Sequence, residues 1–176
     1  MQLTVVEDLQ ILIKNVGESQ VSGFEIETQS LLSDHVYLTA NYGYLKTEYN
    51  SLSAGVGFNM DNQFINSPEY NAFSALHYYY PLNSGAELVF IGSWSFNSKV
   101  YNDAINTEAA SQPSVSIYDA AITYVSPQGD WRISLRGDNL SDERILVGGY
   151  AYSNDGSVIG NYDTPRLWSI LPEVSY

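Results

Sequence analysis

Trp131-Arg132-Ile133-Ser134-Leu135-Arg136-Gly137-Asp138-Asn139-Leu140-Ser141-Asp142-Glu143-Arg144 is the stretch whose reading decides the fold. It opens as a two-residue alternation, with Trp131, Ile133 and Leu135 on one side and Arg132, Ser134 and Arg136 on the other. That is the side-chain period of a β-strand. One apolar face and one strongly polar face mean that the strand is half-buried or faces lipid on one side. The strand then runs into Gly137, Asp138 and Asn139, residues that terminate strands and form turns.

The same alternation recurs along the chain and predicts about eight strands, each bounded by turn chemistry. They fall at roughly 3–14, 20–31, 35–49, 69–80, 86–101, 114–125, 130–138 and 162–176. In the second, Phe24 and Ile26 oppose Glu25 and Glu27; in the third, Val36, Leu38, Ala40, Tyr42 and Tyr44 oppose Tyr37, Thr39 and Asn41. In the fifth, Leu88, Phe90, Trp94 and Phe96 oppose Glu87, Ser93, Ser95, Asn97 and Lys99. The sixth sets Tyr118, Ala120, Ile122 and Tyr124 against Asp119 and Thr123. No stretch of useful length carries a helical period, so the fold class is all-β and antiparallel.

The connections alternate in length. Leu32-Ser33-Asp34, Leu82-Asn83-Ser84-Gly85 and Pro127-Gln128-Gly129 are tight turns. Between them lie longer links at 50–68, 101–113 and 139–161, and one of middling length at 14–20. Short turns at one end and long loops at the other are the habit of an up-and-down membrane barrel. Several strands are also longer than the five or six residues usual in a soluble sandwich, and approach what a tilted strand needs to cross a bilayer.

The totals narrow the partners. The chain has 176 residues, enough for one domain. Its 20 acidic residues against 7 basic ones give a formal net charge of -13, which argues against nucleic acid as a partner. Fifteen tyrosines suit a membrane-interface girdle, a carbohydrate-binding face or a β-rich fold in general. Cysteine is absent, so disulfides and thiolate metal sites are excluded. No apolar run is long enough for a transmembrane helix. Met1 leads into a segment carrying Glu7 and Asp8 with no basic region before it, so no signal peptide is expected at this start.

Several segments, in order, resemble the C-terminal barrel portion of TonB-dependent outer-membrane receptors. Asn15-Val16-Gly17-Glu18-Ser19 and Gly23-Phe24-Glu25-Ile26-Glu27 look like the family's N-A-G-x-A and G-x-E-x-E segments. Ala40-Asn41-Tyr42-Gly43-Tyr44 with Thr47-Glu48-Tyr49 is similar to its A-x-Y-x-Y strand, and Pro68-Glu69-Tyr70 to its P-x-[YH] strand entry. Tyr101-Asn102-Asp103, Pro113-Ser114 and Asp119-Ala120 fit the next strand pair. Gly137 to Arg144, followed by Val147-Gly148-Gly149-Tyr150, resembles the penultimate strand and its loop. Pro165-Arg166 with Trp168 resembles the start of the final strand, and Tyr176 the family's terminal aromatic, with Val174, Ile170 and Trp168 on its face. Pro172 departs from the pattern by placing proline on that same face.

The resemblance implies an antiparallel up-and-down transmembrane β-barrel segment of about eight strands over residues 1–176, a partial barrel without its plug domain. It implies a location in the outer membrane of a Gram-negative bacterium and a role in active uptake of a ferric siderophore or a similar scarce nutrient. The segment would supply barrel wall and external loops. The implied partners are outer-membrane lipid and lipopolysaccharide, the remainder of the barrel with its plug, and the TonB complex acting through an N-terminal coupling segment. Neither an enzymatic activity nor a cofactor is expected. Two other readings remain: a small self-contained outer-membrane barrel with a structural or adhesive role, and a soluble carbohydrate-binding β-sandwich.

Individual residues fit a wall better than a reaction centre. Asp119, Arg132 and Arg136 read as lumen polarity with local ion pairs rather than as contacts to a plug or ligand. His35 and His77 lie on separate strands with no metal-ligand spacing around them, so no metal site is expected. There is no G-x-S-x-G nucleophile elbow. Glu25 and Glu27 share a strand face, as a glycosidase carboxylate pair would, but occupy wall positions in the family. Asn154-Asp155-Gly156-Ser157 is turn chemistry without the ligand series of a calcium loop. Tyr42, Tyr44, Tyr78, Tyr80, Tyr118, Tyr124, Trp94 and Trp131 are the expected interface girdle. The acidic loop residues Asp103, Glu108, Asp142, Glu143 and Asp155 read as solvated rather than cation-binding. The aromatic loop residues Phe58, Phe64, Tyr150 and Tyr152 are the candidate substrate contacts.

Overall fold

A computed structural model of the chain describes residues 2–7, 10–15, 17–151 and 157–175, with the backbone alone for 2–7, 10–14 and Tyr150. Thirteen strands and one short 3₁₀ turn are present among them. Seven strands form one antiparallel sheet: β3 (Gly17–Ser33), β4 (Val36–Leu52), β5 (Tyr70–Pro81), β6 (Glu87–Asn97), β9 (Val115–Val125), β10 (Trp131–Asp138) and β13 (Leu167–Val174). They lie side by side in chain order, an up-and-down meander. Three small two-stranded pieces flank it: β1 (Gln2–Glu7) with β2 (Gln10–Asn15), β7 (Val100–Tyr101) with β8 (Ser111–Gln112), and β11 (Leu146–Ala151) with β12 (Val158–Tyr162). The 3₁₀ turn is Glu108–Ala110.

Four sequence expectations need correction. The strand expected at 86–101 ends at Asn97, with Lys99 beyond it and Val100–Tyr101 paired to Ser111–Gln112 outside the seven-stranded sheet. The strand expected at 3–14 is a hairpin, Gln2 pairing with Asn15 and Glu7 with Gln10, and it stands outside the seven-stranded sheet. The link of middling length expected at 14–20 does not exist as a loop: β3 begins at Gly17. The strand expected at 162–176 is divided, with Tyr162 ending β12 and the sheet strand starting at Leu167. Pro165 accounts for the break, since it can neither continue a ladder nor donate to one.

Register shows why the alternation was so clean. Reading straight across the sheet, Ile26, Tyr42, Ala72 and Phe96 align, as do Leu38, Leu76, Gly92, Ala120, Gly137 and Trp168. Val36, Tyr78, Phe90, Ile122, Leu135 and Ile170 form a further row. These rows are dominated by apolar and aromatic residues and lie on one face, with Ser30 and Ser116 at row ends and Thr28 and Ser74 flanking Ala40. The opposite face carries Glu27, Asn41, Phe73 and Ser95 in one row, and Gln29, Thr39, Ala75, Ser93 and Asp119 in the next. A one-residue slip would exchange the two faces, so this pattern fixes the register.

The apolar face has nothing packed on it. Phe24, Ile26, Leu76, Phe90, Ile133, Leu135 and Ile170 are all exposed, Ile170 at 67%. A soluble sandwich buries such rows against a second sheet, and no second layer covers them among the described residues. The buried apolar residues are few, namely Tyr49, Ala75, Ala86, Ala110, Val115 and Leu146.

The sheet is open. Its outer strands, β3 and β13, pair with one neighbour each among the described residues. Pro172 sits in β13 opposite Ile133 without interrupting the strand. Ser175 N donates to Asp130 O at 2.8 Å, which makes that a hydrogen-bonded pair. Antiparallel pairs alternate in kind, so the Pro172 nitrogen faces the free edge and the β10–β13 ladder loses no bond.

Candidate ligand-binding loop end

The meander puts three short turns at one end of the sheet and three long loops at the other. At the turn end, Gly85 and Gly129 take left-handed conformations (φ 83° and 73°) that glycine adopts without strain. Ser126, buried, closes the third turn: its hydroxyl bonds Asp130 Oδ1 at 2.6 Å and its N–H donates to Trp131 O at 3.0 Å.

At the loop end, the segment after β10 is built around Asn139. This residue is 6% exposed and held at φ 50°, a conformation that asparagine tolerates better than most residues. Its side-chain Nδ2 donates to Glu143 O at 2.8 Å, its Oδ1 accepts from Glu143 N at 2.9 Å, and its own N–H donates to Asp119 Oδ1 at 2.8 Å. Asp119 also accepts from the Ser93 hydroxyl at 3.3 Å, so a carboxylate on the polar face ties two strands to the loop. Arg166 closes the far side, with its N–H on Asp142 Oδ1 at 3.1 Å and its guanidinium on Asp142 Oδ2 at 3.3 Å. Gly137 is required by packing. A Cβ there would lie 2.7 Å from Leu140 Cδ2 and 2.9 Å from the Trp168 ring, which rests over the glycine.

The loops 53–69 and 98–114 are bonded to each other. Asn62 Nδ2 donates to Ala104 O (2.8 Å), Asn106 Nδ2 to Gln63 O (3.0 Å), and Gln63 N to Asn106 Oδ1 (2.6 Å). Asn66 N donates to Tyr101 O at 2.9 Å. Loop 98–114 in turn holds the β11–β12 hairpin, because Gln112 Oε1 accepts from Leu146 N at 2.5 Å and Gly149 lies directly against Ala110. A further charged contact at this end joins Lys99 and Glu108: Lys99 Nζ sits 2.7 Å from Glu108 Oε1 and 4.5 Å from the Tyr101 ring centre. The Lys99 hydrogen bond holds the Glu108 carboxyl below its usual range, and the same bond to Glu108, followed by Tyr101, raises Lys99.

Of the candidate substrate contacts, Phe58 and Phe64 come together, both half-buried against Tyr49 with ring centres 5.3 and 4.5 Å away. Tyr150 belongs to β11, paired with Ile159, and Tyr152 lies outside the described residues. Asn154, Asp155, Gly156 and the terminal Tyr176 lie outside them as well. Arg132 pairs with Glu173, and Arg136 with Asp138 at 2.6 Å. His35 is in a tight turn, while His77 lines a shallow polar-face concavity of about 260 Å³ with Phe73, Ser93, Asp119 and Arg136. No group of three or more metal-ligating side chains occurs among the described residues. Sequence reasoning missed Tyr49, Gln63, Asn106 and Gln112. The bonds of the last three span 34 to 43 residues of chain, and the asparagines at positive φ, Asn66 and Asn106, were the one local sign of built rather than loose loops.

Of the eight aromatics expected as an interface girdle, Tyr42, Tyr44, Tyr78, Tyr80, Tyr124 and Trp131 fall in two aromatic groups on the apolar face, and Trp94 stacks on Phe96. Phe24, Tyr42, Tyr44 and Tyr70 meet in tilted ring contacts near the loop end with centres 5.3 to 6.5 Å apart. Tyr78, Tyr80 and Phe90 cluster nearer the turn end, where Tyr124 lies 5.2 Å from Trp131.

Comparison with known proteins agrees with this architecture. Residues 3–140 match the family model described as TonB dependent receptor-like, beta-barrel. A probable TonB-dependent siderophore receptor, PiuA of Acinetobacter baumannii, is 33% identical over 148 residues, 78% of this chain and 19% of that protein. The chain thus spans about a fifth of that relative's length. The crystal structure of the A. baumannii siderophore receptor PiuA superposes with a TM-score of 0.71 at 26% identity, over 97% of this chain and 23% of the receptor. The ferric yersiniabactin uptake receptor FyuA of Yersinia pestis has the same fold, with a TM-score of 0.81 at 19% identity, over 94% of this chain and 25% of that one. These relatives are receptors of Gram-negative outer membranes and not enzymes. The chain belongs to the TonB-dependent receptor β-barrel family.

Proposed function

We propose that this chain forms barrel wall and external loops of an outer-membrane receptor that takes up a ferric siderophore or a similar scarce nutrient in a Gram-negative bacterium. The observation that carries the proposal is the two-faced open sheet. Its apolar rows, exposed across all seven strands, need a lipid environment, and its polar rows need a wet or protein-filled lumen. An eleven-residue strand such as β6 rises about 36 Å along its own axis. Tilted by about 40°, it covers the roughly 25 Å apolar band of an outer-membrane barrel.

On this reading outer-membrane lipid and lipopolysaccharide contact the apolar face. The polar face meets the plug, and the free edges of β3 and β13 meet the remaining barrel strands. The TonB complex acts through an N-terminal coupling segment. Transport consists of binding and gating without bond chemistry. Phe58 and Phe64 lie in the loop block at the mouth and Tyr150 in the hairpin bonded to it; with Tyr152 they are the proposed contacts of the transported molecule.

The test is iron-limited growth and uptake of iron(III)-loaded siderophores by cells expressing the full-length receptor, beside the variant with all four aromatics replaced by alanine. Loss of uptake with a weakened apparent affinity in the variant is expected. Unchanged affinity would remove these four residues from the site, and no iron-linked phenotype on deleting the gene would overturn siderophore uptake itself.

A further inference from the structure

Loop 53–69 folds back over the polar face of the sheet. Register is unbroken from Gly23↔Leu45 to Ser19↔Tyr49, so Tyr49 points to the same side as Asn41 and Gly43. On that side it is buried to 4% exposure, whereas Lys46 and Glu48, pointing the other way, are exposed. The cover over Tyr49 is supplied by the loop, through Phe58 and Phe64. The loop cannot swing freely about this contact, because Asn62, Gln63 and Asn66 bond it to loop 98–114.

We propose that Tyr49 is a positioning residue: its ring seats loop 53–69 over the mouth of the lumen and thereby places Phe58 and Phe64. The ligand consequence of this rests on the receptor reading above; the placement of the loop does not. The ring acts rather than the hydroxyl, since the Tyr49 hydroxyl oxygen is buried without a hydrogen-bond partner. Removing it leaves the aromatic contacts in place.

The experiment uses the full-length receptor in intact cells, carrying Tyr49→Ala or Tyr49→Phe, with the outer-membrane level of each measured by blot. External thermolysin cleavage within 53–69 is followed by mass spectrometry. Binding is followed with the iron(III) complexes of a tris-catecholate and a tris-hydroxamate chelator. Tyr49→Ala is expected to be cleaved about tenfold faster or more, as a loop with a lost anchor opens more often. It should also bind whichever complex the wild type binds about tenfold more weakly. Tyr49→Phe is expected to match the wild type in both readouts. Phe64→Ala removes the same contact from the loop side, and a similar rise in cleavage is expected if Tyr49→Ala does not assemble. Unchanged cleavage in Tyr49→Ala, or in Phe64→Ala where that variant stands in, would overturn the proposal, as would a Tyr49→Phe that behaves like Tyr49→Ala. A wild type that binds neither complex would count against the receptor reading for those ligands, while cleavage still decides the role of Tyr49.

Discussion

Asn139 concentrates more of the loop end's order than any other single side chain. Three of its polar groups are spent on holding Asp119, the Glu143 backbone and the left-handed turn together. Asn139→Ala leaves the part-buried backbone groups of Glu143 without their side-chain partner and puts alanine, which tolerates positive φ less well than asparagine, at φ 50°. The expected cost is about 2–4 kcal/mol, measurable as a lower urea midpoint for the receptor folded in detergent. The Lys99–Glu108 pair makes a separate, pH-dependent prediction. Glu108 has a depressed value when folded, so its contribution is fully present above the usual carboxylate range and is lost as pH falls through the lowered value. Lys99 has a raised value, so its share is lost only as pH climbs through that value. The contact should therefore hold through neutral pH and open in acid. An NMR titration of the Glu108 carboxyl in the receptor, showing a midpoint below that of a model peptide, checks this.

At the scale of the element, most of the sheet was legible because a period of two is a local property. The face assignments in β4, β6, β9 and β10 needed only the order of residues, and cross-strand pairing put the predicted apolar residues on one face, most of them in rows of apolar and aromatic partners. The tight turns were legible for the same reason, since Gly85 and Gly129 announce left-handed conformations. Less legible were the hairpins at Gln2–Asn15 and Leu146–Tyr162. Each read as part of a longer strand or a loop, because strand propensity cannot tell a strand from two strands folded on each other. Of the candidate site, the aromatic content of loop 53–69 was visible, but its burial partner Tyr49 looked like one more wall residue. The sidedness of β10 makes a direct prediction. Leu135→Arg, on the apolar face, is expected to cost about 2–4 kcal/mol if it lies near mid-membrane. Ser134→Arg, one residue away on the polar face, should be far milder. Unfolding of both variants in lipid vesicles, with equal costs, would contradict the face assignment.

For the molecule as a whole, the exposed apolar rows and the outer strands β3 and β13, each paired with one sheet neighbour among the described residues, say the same thing: this sheet is complete only in company. An uncovered apolar face of this size and two unpaired edges are aggregation hazards in water, and both are resolved by lipid and by further barrel strands. The proline in β13 fits the same picture, since its missing donor faces the free edge, where the next strand would form one bond fewer. Spin labels placed singly at each position of Glu87–Asn97 in the full-length receptor, in lipid bilayers, test the central claim most directly. Labels at 88, 90, 92, 94 and 96 should be accessible to dissolved oxygen and shielded from a water-soluble nickel reagent, with the reverse or mutual protection at 87, 89, 91, 93, 95 and 97. Absence of a two-residue period, or nickel access to the even positions, would contradict a membrane-facing wall.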